Sequence, residues 1–365
     1  MTTKLDLNRV RIRAIDAVTA GLGGQLSRHL SEQFGISRMT ATRALKALVA
    51  EGWLVSSGTT RPVFSLGPSR QITKSYKLPG VDEGMAWLHD FAPLLELPKN
   101  VMGIVEHGFT EMVNNANDHS LGSYVTAAVR IKEGRVALMV MDNGIGIFAK
   151  ISNALALPDP RLAILELSKG KFTTDPTKHS GEGIFFTSRM FDHFDIEAND
   201  LRYDHDVREQ HDWLVEIPQP ATGTVLYMSI PTNSSRTKKE VFDNFSGGDD
   251  YGFHKTVVPV RLAKIGNENL VSRSQAKRLV ARFEGFRTVL LDFAEVDEIG
   301  QAFADEIFRV FTTSHPNTDL VPVNAIPEVQ QMIVRAQMAP QLPLPGPMAL
   351  AQTVNLEKDT EPKGP

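Results

Sequence analysis

Residues 136–146 read VALMVMDNGIG, an apolar run that ends in one acidic residue and two closely spaced glycines. The six apolar residues 136–141 predict a buried β-strand, which places Asp142 at the strand end. A carboxylate there can accept a hydrogen bond from an amino group such as that of adenine. Gly144 and Gly146 have no Cβ, so the backbone can approach a bound base closely. Alone, the pattern also fits a simple turn, and a calcium loop would need ligands that are missing here.

A second motif, EMVNNANDHS at 111–120, precedes this strand. In a helix, Glu111 and Asn115 are one turn apart and share a face. The opposite face can be buried, since it carries Val105, Phe109, Met112, Val113 and Ala116. A carboxylate can activate an attacking water or hydroxyl, and an amide oxygen can coordinate Mg²⁺. By itself the pair is also typical of a solvated helix surface.

A third motif follows the strand and includes Gly181 and Gly183, which open a predicted helix at 185–190. The free N–H groups at a helix start can bind phosphate. Lys169 and Lys171 lie just before this motif and add positive charge. Its other members are Thr173, Thr174, His179 and Ser180, and a fourth motif, Thr222-Gly223-Thr224, precedes a predicted strand at 225–230.

Taken in chain order, from 111–120 through 142–147 and 173–184 to 222–224, the four motifs resemble the N, G1, G2 and G3 boxes of the Bergerat-fold ATPases of the gyrase, heat-shock chaperone and histidine-kinase type (GHKL). The resemblance covers residues 80–235 and implies ATP and Mg²⁺ as cofactors. It implies that Glu111 is the catalytic base, Asn115 the Mg²⁺ ligand and Asp142 the adenine-binding acid. It also implies that Gly144, Gly146, Gly181, Gly183 and Thr224 bind the cofactor. Lys171 is added to these cofactor-binding residues because of its positive charge.

The four motifs do not decide which reaction, if any, follows ATP binding. Histidine kinases carry an upstream helix with a phosphoacceptor histidine, and nothing before residue 100 resembles one; His29 and His89 lack that setting. A glutamate at position 111 is shared by hydrolases and by serine-directed anti-sigma kinases. We therefore expect ATP hydrolysis, with two alternatives: a serine/threonine kinase that acts on a separate partner, and a scaffold that nucleotide merely stabilises.

The first 70 residues carry ten Lys or Arg and four acids, a net charge of +6, so the rest of the −4 chain is at −10. A basic segment on an acidic body favours an anionic partner, nucleic acid first. Three predicted helices (9–20, 25–34 and 37–51) and a strand–turn–strand (53–66) resemble the winged helix-turn-helix of GntR-type regulators. The resemblance implies that the third helix enters the major groove of double-stranded DNA. The predicted DNA contacts are Arg38, Thr42, Arg43, Lys46 and, in the wing, Arg61; a protein-interaction module is the alternative.

The C-terminal unit alternates strands and helices between 257 and 337. Within it, VLLDFAEVDEIGQAF at 289–303 resembles the STAS domains of anti-sigma-factor antagonists. Those proteins have a phosphorylatable serine where this chain has Gln301, which cannot accept a phosphoryl group. We therefore expect a platform for a protein partner or for homodimer formation.

The expected fold class is multidomain α/β: a winged helix-turn-helix at 1–70, a Bergerat sandwich at 80–235, a STAS-like domain at 252–337 and a disordered tail at 338–365. Stretches 67–77 and 232–251 are predicted linkers. The chain has no cysteine, which excludes disulfides and thiol catalysis. It also lacks an apolar run long enough for a membrane span, so we expect a cytoplasmic, ATP-dependent DNA-binding regulator.

Overall fold

The computed structural model describes residues 7–67, 70–173, 180–207, 211–246, 252–266 and 268–338. The N-terminal unit has three helices and a hairpin, with buried Leu26, Leu30, Leu45 and Leu48 between them. Ser37 caps the third helix as predicted, because its hydroxyl accepts a hydrogen bond from Thr40 N at 3.1 Å. The elements are α1 Leu7–Thr19, α2 Leu26–Phe34, α3 Arg38–Ala50, β1 Leu54–Ser57 and β2 Val63–Leu66.

The central unit is a five-stranded antiparallel sheet with helices packed on one face. Its strand order is β3-β4-β5-β7-β6, in which β3 is Arg70–Lys77, β4 Tyr124–Lys132, β5 Arg135–Asp142, β6 His193–Asp206 and β7 His211–Pro231. The longest helix, α5, buries its apolar residues against this sheet, as the spacing of its sequence predicts. The helices are α4 Glu83–Ala86, α5 Lys99–His119, α6 Ile147–Leu155, α7 Leu162–Lys169 and α8 Gly183–Met190.

Both predicted linkers are wrong in part. Residues 70–77 form β3, which pairs with β4 along its whole length, from Arg70↔Ile131 to Lys77↔Tyr124. The stretch 232–251 contains a helix, α9 Lys238–Phe245. That helix begins with a capping box, in which Thr237 and Glu240 satisfy each other's backbone N–H groups.

The C-terminal unit is the small α/β fold predicted from its alternating elements. Its parallel sheet has β9 in the centre, between β8 and β10. The elements are β8 Lys255–Pro259, α10 Arg273–Val280, β9 Thr288–Asp292, α11 Gln301–Asp305, α12 Thr312–Ser314, β10 Asp319–Val323 and α13 Pro327–Met338. The expected disordered tail lies, apart from Met338, outside the described residues. No helix in the described part of the chain is long and apolar enough to cross a membrane.

A buried lysine joins the central unit to the C-terminal unit. The side chain of Lys169, at the end of α7, is fully buried and its Nζ donates to Glu166 Oε1 at 2.7 Å. The same ammonium donates to the backbone carbonyls of Arg278 and Ala281, at 2.9 and 3.1 Å. Arg282 donates from Nε to the other oxygen of Glu166 at 2.8 Å. The ion pair is therefore shared between the two units and its polar atoms are hydrogen-bonded, as burial requires.

Aromatic rings continue this junction. Phe185 and Phe186 on α8 contact Phe253, which precedes β8, with ring centroids 4.4 and 5.0 Å apart. Phe242 and Phe245 of α9 pack against the same pair from the other side. Offset and edge-to-face rings at these distances stabilise beyond their burial alone. The second expected linker is thus part of a packed interface between the units.

The pH dependence of stability should report on Lys169. Burial lowers its pKa to about 8 against the attraction of Glu166. Because the folded-state pKa lies below the unfolded value, Lys169 penalises folding below pH 8, and the penalty is relieved as pH rises towards 10.5. We expect the free energy of unfolding of the wild type to rise relative to that of Lys169→Met across this range. Denaturant titrations followed by circular dichroism measure the difference.

Lys46→Met is the matched control, since it removes the same charge from an exposed position on α3. Its unfolding free energy should follow that of the wild type over the same pH series. A Lys169→Met profile that also runs parallel to the wild type would contradict the assignment.

Candidate functional site

A cavity of about 320 Å³ opens where the end of β5 and the middle of β7 meet α5, α6 and α8. Its size lies in the usual range for small-molecule sites. Residues of all four sequence motifs line it: Glu111, Asn115, Asp142, Gly146, Gly181, Gly183 and Thr224. Of the predicted nucleotide-site residues, Gly144 and Lys171 are not part of the lining.

Strand alternation places Asp142 in this cavity. Val136, Leu138 and Val140 point to the buried side of β5, and the next residue with that orientation is Asp142, which is 5% exposed. Its Oδ1 accepts hydrogen bonds from the N–H groups of Gly144 at 2.8 Å and Thr224 at 3.3 Å. Burial raises the pKa of Asp142, while these N–H groups and the Thr224 hydroxyl oppose the rise. The two backbone bonds end on one oxygen and leave Oδ2 for another donor.

Thr224 connects the motif that contains Asp142 with the fourth motif. Met141 pairs with Val225 in the sheet, so Thr224 lies beside Asp142. The Thr224 hydroxyl oxygen accepts a hydrogen bond from Ile147 N, the first residue of α6, at 3.0 Å. One threonine therefore orients both the acid and the helix that follows the two glycines.

Gly223 contributes to the site, although the four motifs did not predict a role for it. Its φ is +75°, and a Cβ there would lie 2.1 Å from the carbonyl oxygen of Asp142. Only glycine tolerates both the conformation and the contact. The sequence does indicate this position, because Gly223 stands between two threonines in the fourth motif.

Glu111 and Gly183 bring α5 and α8 into contact. A Cβ at Gly183 would lie 2.1 Å from Oε2 of Glu111, so any larger residue would displace the carboxylate. Asn115 lies one turn further along α5 and lines the same cavity. Glu111 therefore faces the glycine turn of the third motif, and Asn115 lines the same cavity.

The two glycines after Asp142 have different roles. Gly146 lines the cavity and has φ of +83°, as expected for a backbone that approaches a ligand. Gly144 instead packs against the end of α5, since a Cβ there would lie 2.0 Å from the carbonyl oxygen of Ser120. Its requirement for glycine therefore comes from the fold.

Lys171 is bound to the C-terminal unit and does not face the cavity. Its Nζ donates to the carbonyl oxygen of Gly285 at 2.8 Å and lies 4.8 Å from the centre of the Phe286 ring. Lys150, which the motifs did not indicate, lines the cavity instead and donates to the His119 carbonyl oxygen at 2.6 Å. Burial lowers the pKa of Lys150, against the attraction of Asp118. The third-motif residues Thr174 and His179 lie outside the described residues.

A second candidate site is the outer face of α3. The inner face buries Ala41, Ala44, Leu45 and Leu48. The predicted DNA-contacting residues all lie on the exposed surface of α3 and of the hairpin turn: Arg38, Thr42, Arg43, Lys46 and Arg61. The Thr42 hydroxyl is held by the Arg38 carbonyl oxygen, at 2.8 Å.

The basic residues of the N-terminal unit divide into two groups. Arg11 pairs with Glu51 at 3.0 Å and lies 4.5 Å from the centre of the Trp53 ring, so it holds α1 to the hairpin. Arg43, Lys46 and Arg61, by contrast, form no ion pair with any residue that the structure describes. The positive charge left for a ligand is therefore concentrated on α3 and the hairpin turn.

Two segments match known families. Residues 12–60 match the family of bacterial regulatory proteins named gntR, and residues 275–330 match a STAS-like domain of unknown function. Both resemblances stated for these segments are confirmed, and the chain is a multidomain α/β protein with a winged helix-turn-helix, a central sheet domain and a STAS-like domain. No curated protein sequence matches the chain.

Two solved structures show weak similarity. The B-subunit of the DNA gyrase from Myxococcus xanthus is 12% identical over 36% of this chain and 38% of its own, with a TM-score of 0.20. This chain thus spans well under half of that subunit. An IcIR transcriptional regulator from Alicyclobacillus acidocaldarius is 13% identical over 65% of this chain and 92% of its own, with a TM-score of 0.16. TM-scores this low do not establish a shared fold.

Thr224→Val should loosen the start of α6. The change keeps the shape but removes the acceptor of Ile147 N, which would cost about 1–3 kcal/mol of local stability. We expect faster hydrogen exchange at the Ile147 amide and a lower melting temperature. Thr222→Val, at an exposed position two residues earlier in β7, is the control and should leave both unchanged. Equal exchange at Ile147 in the two variants would rule out the proposed link.

Proposed function

We propose that the chain is a cytoplasmic, ATP-binding regulator that binds double-stranded DNA through its winged helix. One observation supports a nucleotide site: four motifs that are separated in the sequence line one cavity. Asp142, Thr224 and Glu111 are among its lining residues. A buried acid, a helix-start glycine turn and a carboxylate–amide pair are the groups that adenine, phosphates and Mg²⁺ would need.

Asp142 would select the base. Its Oδ1 is used by two backbone N–H groups, so Oδ2 can accept the amino group of adenine. Gly146 presents bare backbone to the cavity wall, and a Cβ there would also collide with Asn199 Oδ1 at 2.6 Å. A base with a carbonyl oxygen in place of the amino group would meet an acceptor with an acceptor, which is unfavourable in a buried site.

The phosphates would lie at the start of α8. Gly181 has φ of +71° and Gly183 admits no side chain, so the turn exposes backbone towards the cavity. Lys150 supplies a cation at the cavity wall. An amide oxygen beside a carboxylate is a donor set that suits Mg²⁺, so Asn115 would hold the ion. Bound Mg²⁺ neutralises phosphate charge.

Glu111 would act as the general base in hydrolysis. It lies against the glycine turn, where an attacking water would approach the terminal phosphate. A separate protein substrate would need a hydroxyl delivered to the same place. Gln301 lines a different groove, on the C-terminal unit, which argues against phosphoryl transfer within the chain.

The contacts of the third motif support control of domain arrangement by nucleotide. Lys171 binds the Gly285 carbonyl oxygen. Burial raises the pKa of Glu182, and the nearby charge of Lys171 opposes this rise, so the lysine also interacts with the turn. Phe185, two residues after Gly183, packs on Phe253 of the C-terminal unit. A phosphate that reorients this turn would therefore act directly on the interface between the units.

The N-terminal unit supplies the DNA-binding part of the proposal. Its match to the gntR family and the cations clustered on α3 and the hairpin turn support a major-groove interaction. Arg43 can donate twice to a guanine edge, whereas Lys46, one turn later, can neutralise a phosphate. The exposed face of the STAS-like domain is then left for a protein partner or a second protomer.

The nucleotide proposal is tested by ligand-dependent stability. With Mg-ATP at about 100 times Kd, the full-length protein should gain about 2.7 kcal/mol and melt several degrees higher. Asp142→Asn places an amide where the adenine amino group needs an acceptor, so most of this shift should disappear. Thermal melting with and without Mg-ATP gives the measurement.

Two further variants sharpen this test. Asp297→Asn removes the same charge from an exposed residue of the C-terminal unit and should keep the full shift. Glu111→Gln should also keep the shift while phosphate release slows by about 10²–10⁴-fold. An unchanged shift in Asp142→Asn would sink the assignment of the base site, and normal turnover in Glu111→Gln would place the base elsewhere.

The DNA proposal is tested on full-length protein with a duplex selected from a random library. Arg43→Ala should cost about 1–3 kcal/mol on the selected duplex and relax its sequence preference. Lys46→Ala should weaken all duplexes alike and lower the salt slope by about one unit. Arg335→Ala, an exposed arginine of α13, is the control. Binding that neither α3 variant alters would make the winged helix a protein-interaction module.

A further inference from the structure

A compact group of side chains lies on the sheet face away from the nucleotide cavity. Phe194, Ile196 and Ala198 of β6 point into the core and are fully buried. The alternate residues His193 and Asp195 therefore point to the opposite face. β6 folds back on itself, so that its last residues lie beside its first. Val207 N, directly after the strand, donates to the carbonyl oxygen of Asp192, directly before it, at 2.9 Å.

This return brings Asp204 to His193 and Asp195. His193 Nε2 lies 3.1 Å from Asp195 Oδ2 and 3.6 Å from Asp204 Oδ2. Ligand atoms about 2.0–2.1 Å from a tetrahedral metal ion are about 3.4 Å apart, so the spacing fits a metal site. The edge of the His193 ring packs against Tyr227, with centroids 5.9 Å apart, which restricts its orientation.

Two carboxylate oxygens in the group are buried without a hydrogen-bond partner among the described residues: Oδ1 of Asp195 and Oδ1 of Asp204. The Asp195 side chain is only 9% exposed, so water does not readily satisfy it. An unsatisfied carboxylate oxygen in such a place is costly and indicates a missing ion or proton. This observation is independent of the spacing of the three ligand atoms.

The surrounding charge is negative even with its arginine included. Arg202 lies 2.7 Å from Asp195 Oδ2 and 3.4 Å from Glu197, and its side chain is 39% exposed. It can therefore shift towards Glu197 and solvent when a cation binds. One guanidinium does not balance the carboxylates of Asp195, Asp204 and Glu197, so a divalent cation would be attracted.

We propose that His193, Asp195 and Asp204 form a binding site for a divalent transition-metal ion, represented by Zn²⁺. One imidazole nitrogen with two carboxylate oxygens suits Zn²⁺ and its neighbours in the first transition row. Mg²⁺ prefers six oxygen ligands and is disfavoured by imidazole. The site is thus distinct in place and in chemistry from the Mg²⁺ position proposed at Asn115, and it does not depend on nucleotide binding.

A shared proton is the competing occupant. Burial, together with the neighbouring Asp195, raises the pKa of Asp204 to about 7. In that state one protonated carboxyl would donate to the other, and no metal ion would be needed. The two occupants differ in what they require, because only the metal ion needs the imidazole of His193.

The test is a Zn²⁺ titration of full-length, chelator-treated protein against a competing fluorescent zinc indicator. We expect one Zn²⁺ per chain at this site, with the affinity lowered by about 10–100-fold or more in His193→Gln and in Asp204→Asn. Asp200→Asn, an exposed acid on the same strand, should bind like the wild type. Excess Mg²⁺ should not displace the ion.

Two further measurements distinguish loss of the metal site from loss of the folded structure. Circular dichroism checks that each variant is folded, and Co²⁺ in place of Zn²⁺ should give visible absorption bands that vanish in His193→Gln. The Mg-ATP melting shift should be the same in His193→Gln as in the wild type, so failure of either proposal is visible separately. Equal Zn²⁺ affinity in the wild type and His193→Gln, or no Zn²⁺ uptake by folded wild type, would overturn the metal site in favour of the shared proton.

Discussion

The burial of one carboxylate, that of Asp142, constrains the rest of the central domain. The alternation that buries Val136, Leu138 and Val140 leaves the next inward position to an acid. A buried acid is tolerated only if donors surround it. The chain supplies them from two directions, through Gly144 and Thr224. The bond from Thr224 N holds β7 beside the end of β5, and the hydroxyl of the same threonine accepts from Ile147 N at the start of α6. The groups that satisfy this single carboxylate therefore also form part of the cavity wall.

The cavity residues were predictable because they depend on local periodicity. Asp142 follows from strand alternation, Glu111 and Asn115 from helical spacing, and Gly183 from its place before a helix. These relations involve residues close in sequence. Lys171 was assigned to the phosphates because it is basic and near the third motif. Its actual partner, Gly285, lies more than a hundred residues away and depends on how two units pack, which no local pattern contains.

The two wrong linkers have different physical reasons. Residues 70–77 read RQITKSYK, with few apolar residues, because β3 is an edge strand held by the buried side chain of Ile72 and the partly buried ring of Tyr76. The helix at 238–245 has a recognisable start, because Thr237 and Glu240, three residues apart, are typical of a capping box. The polar residues around them nevertheless made the stretch resemble a linker. The register of β6, which brings Asp204 back to His193, has no sequence signature beyond a turn at Asn199, whose φ is +56°.

The aromatic interface has a consequence for how this polypeptide can be taken apart. Phe185 and Phe186 are 1% and 3% exposed only because Phe253 and its neighbours cover them. A fragment ending at residue 235 would present those rings to solvent, and one beginning at residue 80 would also lose the edge strand that covers β4. The central fold and the STAS-like fold have separate architectures, yet their buried residues form one continuous hydrophobic core. Recombination or proteolysis that parts them would leave fragments with exposed aromatic surface, which favours aggregation.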